Sequence, residues 1–292
     1  MTDRPSITQA MIKAYDDYTH LTLDRRGFMD RLTRLAGSGA AAAAIAPLLA
    51  ANSARAAMVE AGDARIRGGD VPWPVATGEM NGYLVQPAEK AAKRPAVIVI
   101  HENRGLNEHT RDVARRLALE GFVALAPDFL SPLGGTPADE DKAREMIGQL
   151  KPEETAANAA ATVKFLATHA ESTGAVGVVG FCWGGGLANR TAVAAPDLKA
   201  AVAYYGPQPK AEDVPAIKAA LLLHYAGLDE RINAGIAAFE AALKANGKDF
   251  VIHMYDGVNH AFNNDTSAAR YNEAAAKLAW ERTIAFFKAK LA

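Results

Sequence analysis

Three residues far apart in the chain have the types and the order of a nucleophilic site. Gly180-Phe181-Cys182-Trp183-Gly184-Gly185-Gly186 has the G-x-nucleophile-x-G form of a nucleophile elbow, with the chain's one cysteine as the nucleophile. The spacing has a steric cause. The nucleophile occupies a strained turn, and the residues two before and two after it must lack bulk so that a strand and a helix can approach. N–H groups at the start of that helix face the sulfur and favour thiolate over thiol. Downstream lie Gly227-Leu228-Asp229-Glu230-Arg231 and Val258-Asn259-His260-Ala261-Phe262. His260 can hold a thiolate as an ion pair and later protonate a leaving group. Asp229 can fix the imidazole tautomer and steady its positive charge. Upstream, His101-Glu102-Asn103-Arg104-Gly105 supplies a second carboxylate, Glu102. The backbone N–H groups of Asn103 and Trp183 would be two donors for a developing oxyanion. Each residue alone has a plainer reading: a buried inert cysteine, a helix-capping Asp, a structural loop His, a Glu neutralised by Arg104. His101 and His109 suggest a metal pair, but no third ligand has suitable spacing, so no metal is expected.

Such residues need a scaffold, and the chain alternates strands and helices. Residues 95–100 (PAVIVI) form an apolar, β-branched run suited to a strand covered on both faces. Further strands are expected at 122–126, 176–181, 200–205, 221–225 and 250–255, after two at about 64–67 and 80–86. Helical spacing marks 107–120, 152–170, 184–195, 232–246 and 267–291, with 132–137 a Gly/Pro-rich loop. Regular alternation predicts an α/β fold, a mostly parallel central sheet with helices on both faces. Ligands of such sheets sit at the carboxyl ends of strands, where Glu102, Cys182, Asp229 and His260 all fall.

The 292 residues carry 32 basic and 33 acidic side chains, a formal net charge of -1. No field exists to gather nucleic acid, and no basic stripe with interleaved aromatics appears. A single cysteine rules out an internal disulfide. Residues 1–56 read as an address. Arg25-Arg26-Gly27-Phe28-Met29 precedes a small-residue apolar run at 35–51, and Ala54-Arg55-Ala56 has the A-x-A form of a cleavage site. The arrangement resembles a twin-arginine signal, which would bring the export machinery as a partner and a periplasmic or exported location. The alternative is an Ala-rich helix on a cytoplasmic protein. Gly37, Ser38, Gly39 and Pro47 interrupt the run, so stable membrane insertion is not expected.

From about residue 95 onward the chain resembles the dienelactone hydrolase (carboxymethylenebutenolidase) family of the α/β-hydrolase superfamily. The H-E-N-R-G loop, the G-F-C-W-G-G elbow, the Asp229 loop and the N-H-A-F segment carry the likeness. The resemblance implies an α/β-hydrolase fold over 57–292, no cofactor, and Cys182, Asp229 and His260 as a catalytic triad. It implies, too, that Glu102 contacts the resting cysteine and helps ionise it. One position departs: Asn264 stands where dienelactone-cleaving members place an arginine that holds the substrate's carboxylate. Arg104 and Phe262 are the candidates for contacting substrate instead, with Arg144 a further source of charge. The expected activity is hydrolysis of a lactone or small carboxylic ester. Rivals are a thioesterase on the same scaffold and a non-catalytic, ligand-binding homologue.

Overall fold

The structure is a computed structural model, and it describes residues 6–20, 22–50, 57–90 and 93–292. The Ala54-Arg55-Ala56 site lies outside the described residues.

One eight-stranded sheet runs through the molecule in the order β1-β2-β4-β3-β5-β6-β7-β8. β1 (Ile66–Val75) and β2 (Gly78–Pro87) form an antiparallel hairpin, and β2 meets β4 (Val123–Asp128) antiparallel. The remaining strands, β3 (Arg94–Ile100), β5 (Ser172–Phe181), β6 (Ala200–Tyr204), β7 (Ala220–Ala226) and β8 (Phe250–Tyr255), continue it in parallel. The fold is that of the α/β-hydrolases, as the strand–helix alternation and the motif order implied. The apolar runs are central strands because both faces are covered. Val97 and Val99 pack into one buried cluster, Ile98 and Ile100 into the other across the sheet.

The hairpin is longer at both strands than the apolar pattern indicated, because its partners supply backbone bonds where the side chains are polar. A helix over Glu140–Gln149 (α5 in chain order) follows the Gly/Pro loop and had no expected counterpart; Asp139 caps it, accepting from the N–H groups of Asp141 and Lys142. The terminal helix, Glu273–Lys290 (α10), starts six residues later than the periodicity suggested. Asn272 caps it by accepting from Ala275 N–H, and the stretch before it is a chain of turns.

Among the described residues the N-terminal segment forms three helices, α1 (Gln9–Thr19), α2 (Arg25–Ala36) and α3 (Gly39–Leu49). Thr8, Asp24 and Ser38 cap them in turn. They share an apolar cluster of their own, in which the Tyr18 and Phe28 rings stack at 4.9 Å and Tyr15 meets Phe28 edge-on. Polar bonds fasten this bundle to the sheet domain. Arg270 reaches Asp16 Oδ1 at 3.0 Å, Tyr18 donates to Asp141 at 2.8 Å, and Arg144 lies 4.0 Å over the Tyr18 ring. Among the described residues no single helix is long and apolar enough to cross a membrane; α2 and α3 meet that measure only as a pair bent by 112°.

Candidate active site

The elbow has the geometry its sequence requires. β5 ends at Phe181, Cys182 adopts φ 55° and ψ -116°, and α7 (Trp183–Ala194) begins at once. A Cβ on Gly180 would stand 1.9 Å from the Gly184 carbonyl oxygen, and one on Gly184 would stand 2.4 Å from that of His101. Both contacts are with backbone, so neither can be relieved by a side chain turning away. Cys182 N–H is held by the Tyr204 carbonyl at 3.0 Å. The other described non-glycine residues with positive φ are Tyr205 (38°) and Ala261 (63°), and both adjoin the same site. Strain is thus concentrated where the reactive groups are.

The loops after β7 and β8 bring the acid and the imidazole to the sulfur. His260 Nδ1 donates to Asp229 Oδ2 at 2.5 Å, and Asp229 also accepts from Ile232 N–H at the start of the short helix α8 (Glu230–Asn233). A ring nitrogen of His260 and Cys182 Sγ lie within 4.8 Å of one another. Cys182 is 6% exposed and His260 3%. Burial opposes the imidazolium, but the Cys182 and Asp229 charges outweigh it and push His260 up to about 10. Burial likewise opposes the Asp229 charge, and His260 overcomes it, holding that carboxyl below its ordinary range. His260 Nε2 is buried without a hydrogen-bond partner.

Glu102 is near, but its bonds go elsewhere than expected. Its carboxylate accepts from Tyr205 O–H at 3.4 Å and from Asn264 Nδ2 at 2.9 Å, rather than reaching the sulfur. Asn264, at the position where an arginine was sought, therefore positions Glu102. Arg104 is also diverted, because its guanidinium is paired with Glu140 and donates to Tyr15 O–H at 2.6 Å. Phe262 is 0% exposed, packed against Tyr204, Tyr205 and Tyr255, so its ring belongs to the core and not to a substrate surface. Arg270, expected on a helix, lies in the turns before α10 and lines a small cavity with Glu102, Cys182 and His260. Trp183 N–H opens α7 and has no earlier turn to donate to. The Asn103 side chain donates to the Thr19 carbonyl at 2.5 Å.

His101 and His109 do not meet at a metal position. His101 Nε2 accepts from Phe129 N–H at 3.2 Å and its Nδ1 donates to the Glu102 carbonyl at 2.6 Å, while His109 pairs with Asp265. The imidazole that does reach the centre is His20, from the end of α1. Its Nε2 stands 3.4 Å from Cys182 Sγ, and its ring meets that of His260 edge-on at 4.7 Å. Burial, reinforced by the His260 charge, holds His20 well below the ordinary histidine range. Sequence reasoning missed His20 because it lay in a stretch read as an address. Met11, Ile12, Tyr15 and Tyr18 at helical spacing were the available signal.

Beside the sulfur opens a cavity of about 370 Å³. Thr19, His20 and Thr22 from the N-terminal segment line it together with Ile147 and Trp183, and Arg144 and Arg231 are among its charged residues. The volume suits a small organic substrate.

Comparison with known proteins follows the same line. A model of the dienelactone hydrolase family matches residues 80–291. A protein of Escherichia coli O157:H7, provisionally named a carboxymethylenebutenolidase, is 32% identical over 254 residues, covering 82% of this chain and 93% of that one. A hydrolase fragment from Escherichia coli K12 is 50% identical over 113 residues, 38% of this chain and 97% of the fragment. A crystal structure from Klebsiella pneumoniae, provisionally named a dienelactone hydrolase, is 30% identical with a TM-score of 0.69, covering 76% of this chain and 98% of that one.

Proposed function

Because the chain belongs to the dienelactone hydrolase family, we propose that it cleaves a lactone or small carboxylic ester with Cys182 as nucleophile. Cys182 Sγ attacks the carbonyl carbon, and the backbone N–H groups of Trp183 and Asn103 bind the developing oxyanion. His260 passes its proton to the leaving alkoxide, and the thioester to Cys182 remains. Water, deprotonated by His260, then releases the acid and restores the thiolate–imidazolium pair. Asp229 keeps the His260 tautomer throughout. The observation that carries this reading is the approach of sulfur, imidazole and carboxylate from three strand ends, with His260 lifted to about 10 by the charges on either side.

The cavity supports a small substrate, and Arg231 among its lining residues favours one with negative charge, Arg144 being engaged by Asp141 and Tyr18. A panel of p-nitrophenyl esters, lactones and acyl-thioesters, each with and without a carboxylate, tests both points. The reading expects ester or lactone turnover, abolished in Cys182→Ala, and a lower KM for the carboxylate-bearing members. Undiminished turnover in Cys182→Ala would overturn the mechanism.

We propose also that the chain is exported by the twin-arginine route. Arg25 and Arg26 are exposed at the start of α2, and Arg25 makes only a surface pair with Asp141 at 2.9 Å. Cleavage after Ala56 would take Thr19, His20 and Thr22 from the cavity wall, so the form that reaches the periplasm decides the shape of the working site. Cell fractionation with the intact mass of the recovered protein tests the route. Failure of Arg25→Lys with Arg26→Lys to keep the protein in the cytoplasm would contradict it.

A further inference from the structure

We infer that His20, Cys182 and His260 together form a binding site for a thiophilic divalent cation of the zinc class. One nitrogen of each imidazole and the sulfur lie within 4.8 Å of one another. A thiolate with two imidazoles is the donor set that borderline-soft ions prefer.

His20 already has the tautomer a metal needs, and His260 reaches it on losing the proton at Nε2. His20 Nδ1 faces the Asp16 carbonyl at 2.7 Å, so it carries the proton and Nε2 presents a lone pair to the sulfur. His260 Nδ1 is held by Asp229, which leaves its Nε2 buried and without a protein partner. Each ligand ring is thus fixed through its other nitrogen by an oxygen behind it, one a backbone carbonyl and one a carboxylate, as metal-bound histidines usually are.

The distances agree. With Zn–S of about 2.3 Å and Zn–N of about 2.0 Å, a tetrahedral centre separates sulfur from nitrogen by about 3.5 Å. His20 Nε2 and Sγ are 3.4 Å apart. At the 4.8 Å limit, His260 Nε2 would close by about 1.3 Å toward the sulfur and about 1.5 Å toward His20 to reach tetrahedral separations. His20 and Cys182 both line two cavities, from which water would complete the shell. Of the cations around the site, Arg270 is balanced by Asp16 and Arg104 by Glu140; Arg231 adds positive charge, and Asp229 and Glu102 add negative charge.

Binding displaces the proton shared by Cys182 and His260 to the buffer, and no other bond changes. The ion also ties the N-terminal segment to the sheet domain through His20. On the hydrolytic reading it occupies the sulfur and imidazole that the reaction uses, so metal binding and turnover exclude one another.

The test is a Co²⁺ titration of the chelator-treated, full 292-residue chain, followed by Zn²⁺ displacement and without any ester present. The site predicts one equivalent of Co²⁺ and a near-ultraviolet thiolate-to-cobalt charge-transfer band, which Zn²⁺ removes. The band is diagnostic because the chain has one cysteine. His20→Ala and the more conservative His20→Gln should each weaken binding by about tenfold or more, with circular dichroism unchanged. A missing band, or unaltered affinity in a folded His20→Gln variant, overturns the proposal. Zn²⁺ inhibition of ester turnover is read separately. A band in the cobalt-loaded chain, with no ester turnover by the metal-free chain, contradicts the hydrolytic reading and leaves the metal site standing.

Discussion

Cys182 holds a backbone conformation that L-residues rarely adopt, and it does so between glycines that no larger residue can replace. Charge then decides what this residue can do. The His260 imidazolium exists at neutral pH only while the Cys182 and Asp229 charges flank it. Cys182→Ala should therefore abolish turnover and also bring the His260 pKa down from about 10, as a histidine NMR titration would show. An unchanged titration would mean that the sulfur carries no charge at rest. Asp229→Asn removes the carboxylate charge and lets an amide N–H face His260 Nδ1, which favours the wrong tautomer. Its kcat should fall by roughly 10³–10⁴-fold, as for triads in which the acid becomes an amide. A loss below about tenfold would show Asp229 to be only a helix cap. Cys182, Asp229 and His260 were all legible in the sequence, since each follows a strand. The partners of Glu102 were not, because Tyr205 and Asn264 reach it by tertiary packing that no spacing records.

Elements do the positioning, and their ends matter more than their middles. β5 and α7 meet so closely at the elbow that Gly180→Ala puts a methyl group into the Gly184 carbonyl. That variant should lower Tm by roughly 5–10 °C or fail to fold, and a Tm within error of the parent would refute the steric argument. The central strands were readable as continuous apolar runs, and β8 falls on the residues its pattern indicated. The hairpin ends, α5 and the turns before α10 were not, since caps and ladder bonds decided their limits. The N-terminal helices show a different limit to sequence reading. Paired arginines and an Ala-rich run resemble an address whether or not the segment packs. What fastens it is a set of contacts hundreds of residues apart in the chain, such as Arg270 with Asp16. Asp16→Ala leaves the buried Arg270 guanidinium unpaired, which is costly. Limited proteolysis should then cut within residues 6–50 faster than in the parent, and equal rates would show that this pair does not hold the segment.

For the whole molecule, the buried Asp229–His260 pair links stability to pH. The folded-state pKa of His260 is raised, so its contribution is fully present below the ordinary 6.5 and is lost as pH rises through about 10. The folded-state pKa of Asp229 is lowered, so its contribution is present above the ordinary 3.8 and is lost as pH falls through the depressed value. Urea midpoints should form a plateau between these limits and fall on both sides. In Cys182→Ala the alkaline edge should move to lower pH, because one of the two charges supporting the imidazolium is gone. An alkaline edge at the same pH in both proteins would place the titration elsewhere.

The most direct measurement is the mass of the acyl-enzyme. A slow ester of a small carboxylic acid, mixed with the full chain and quenched in acid, should add one acyl group, and peptide mapping should place it on Cys182. Cys182→Ala should show no such adduct. An adduct on another residue, or turnover of the same ester with no adduct at any quench time and full activity in Cys182→Ala, would contradict nucleophilic catalysis at this sulfur.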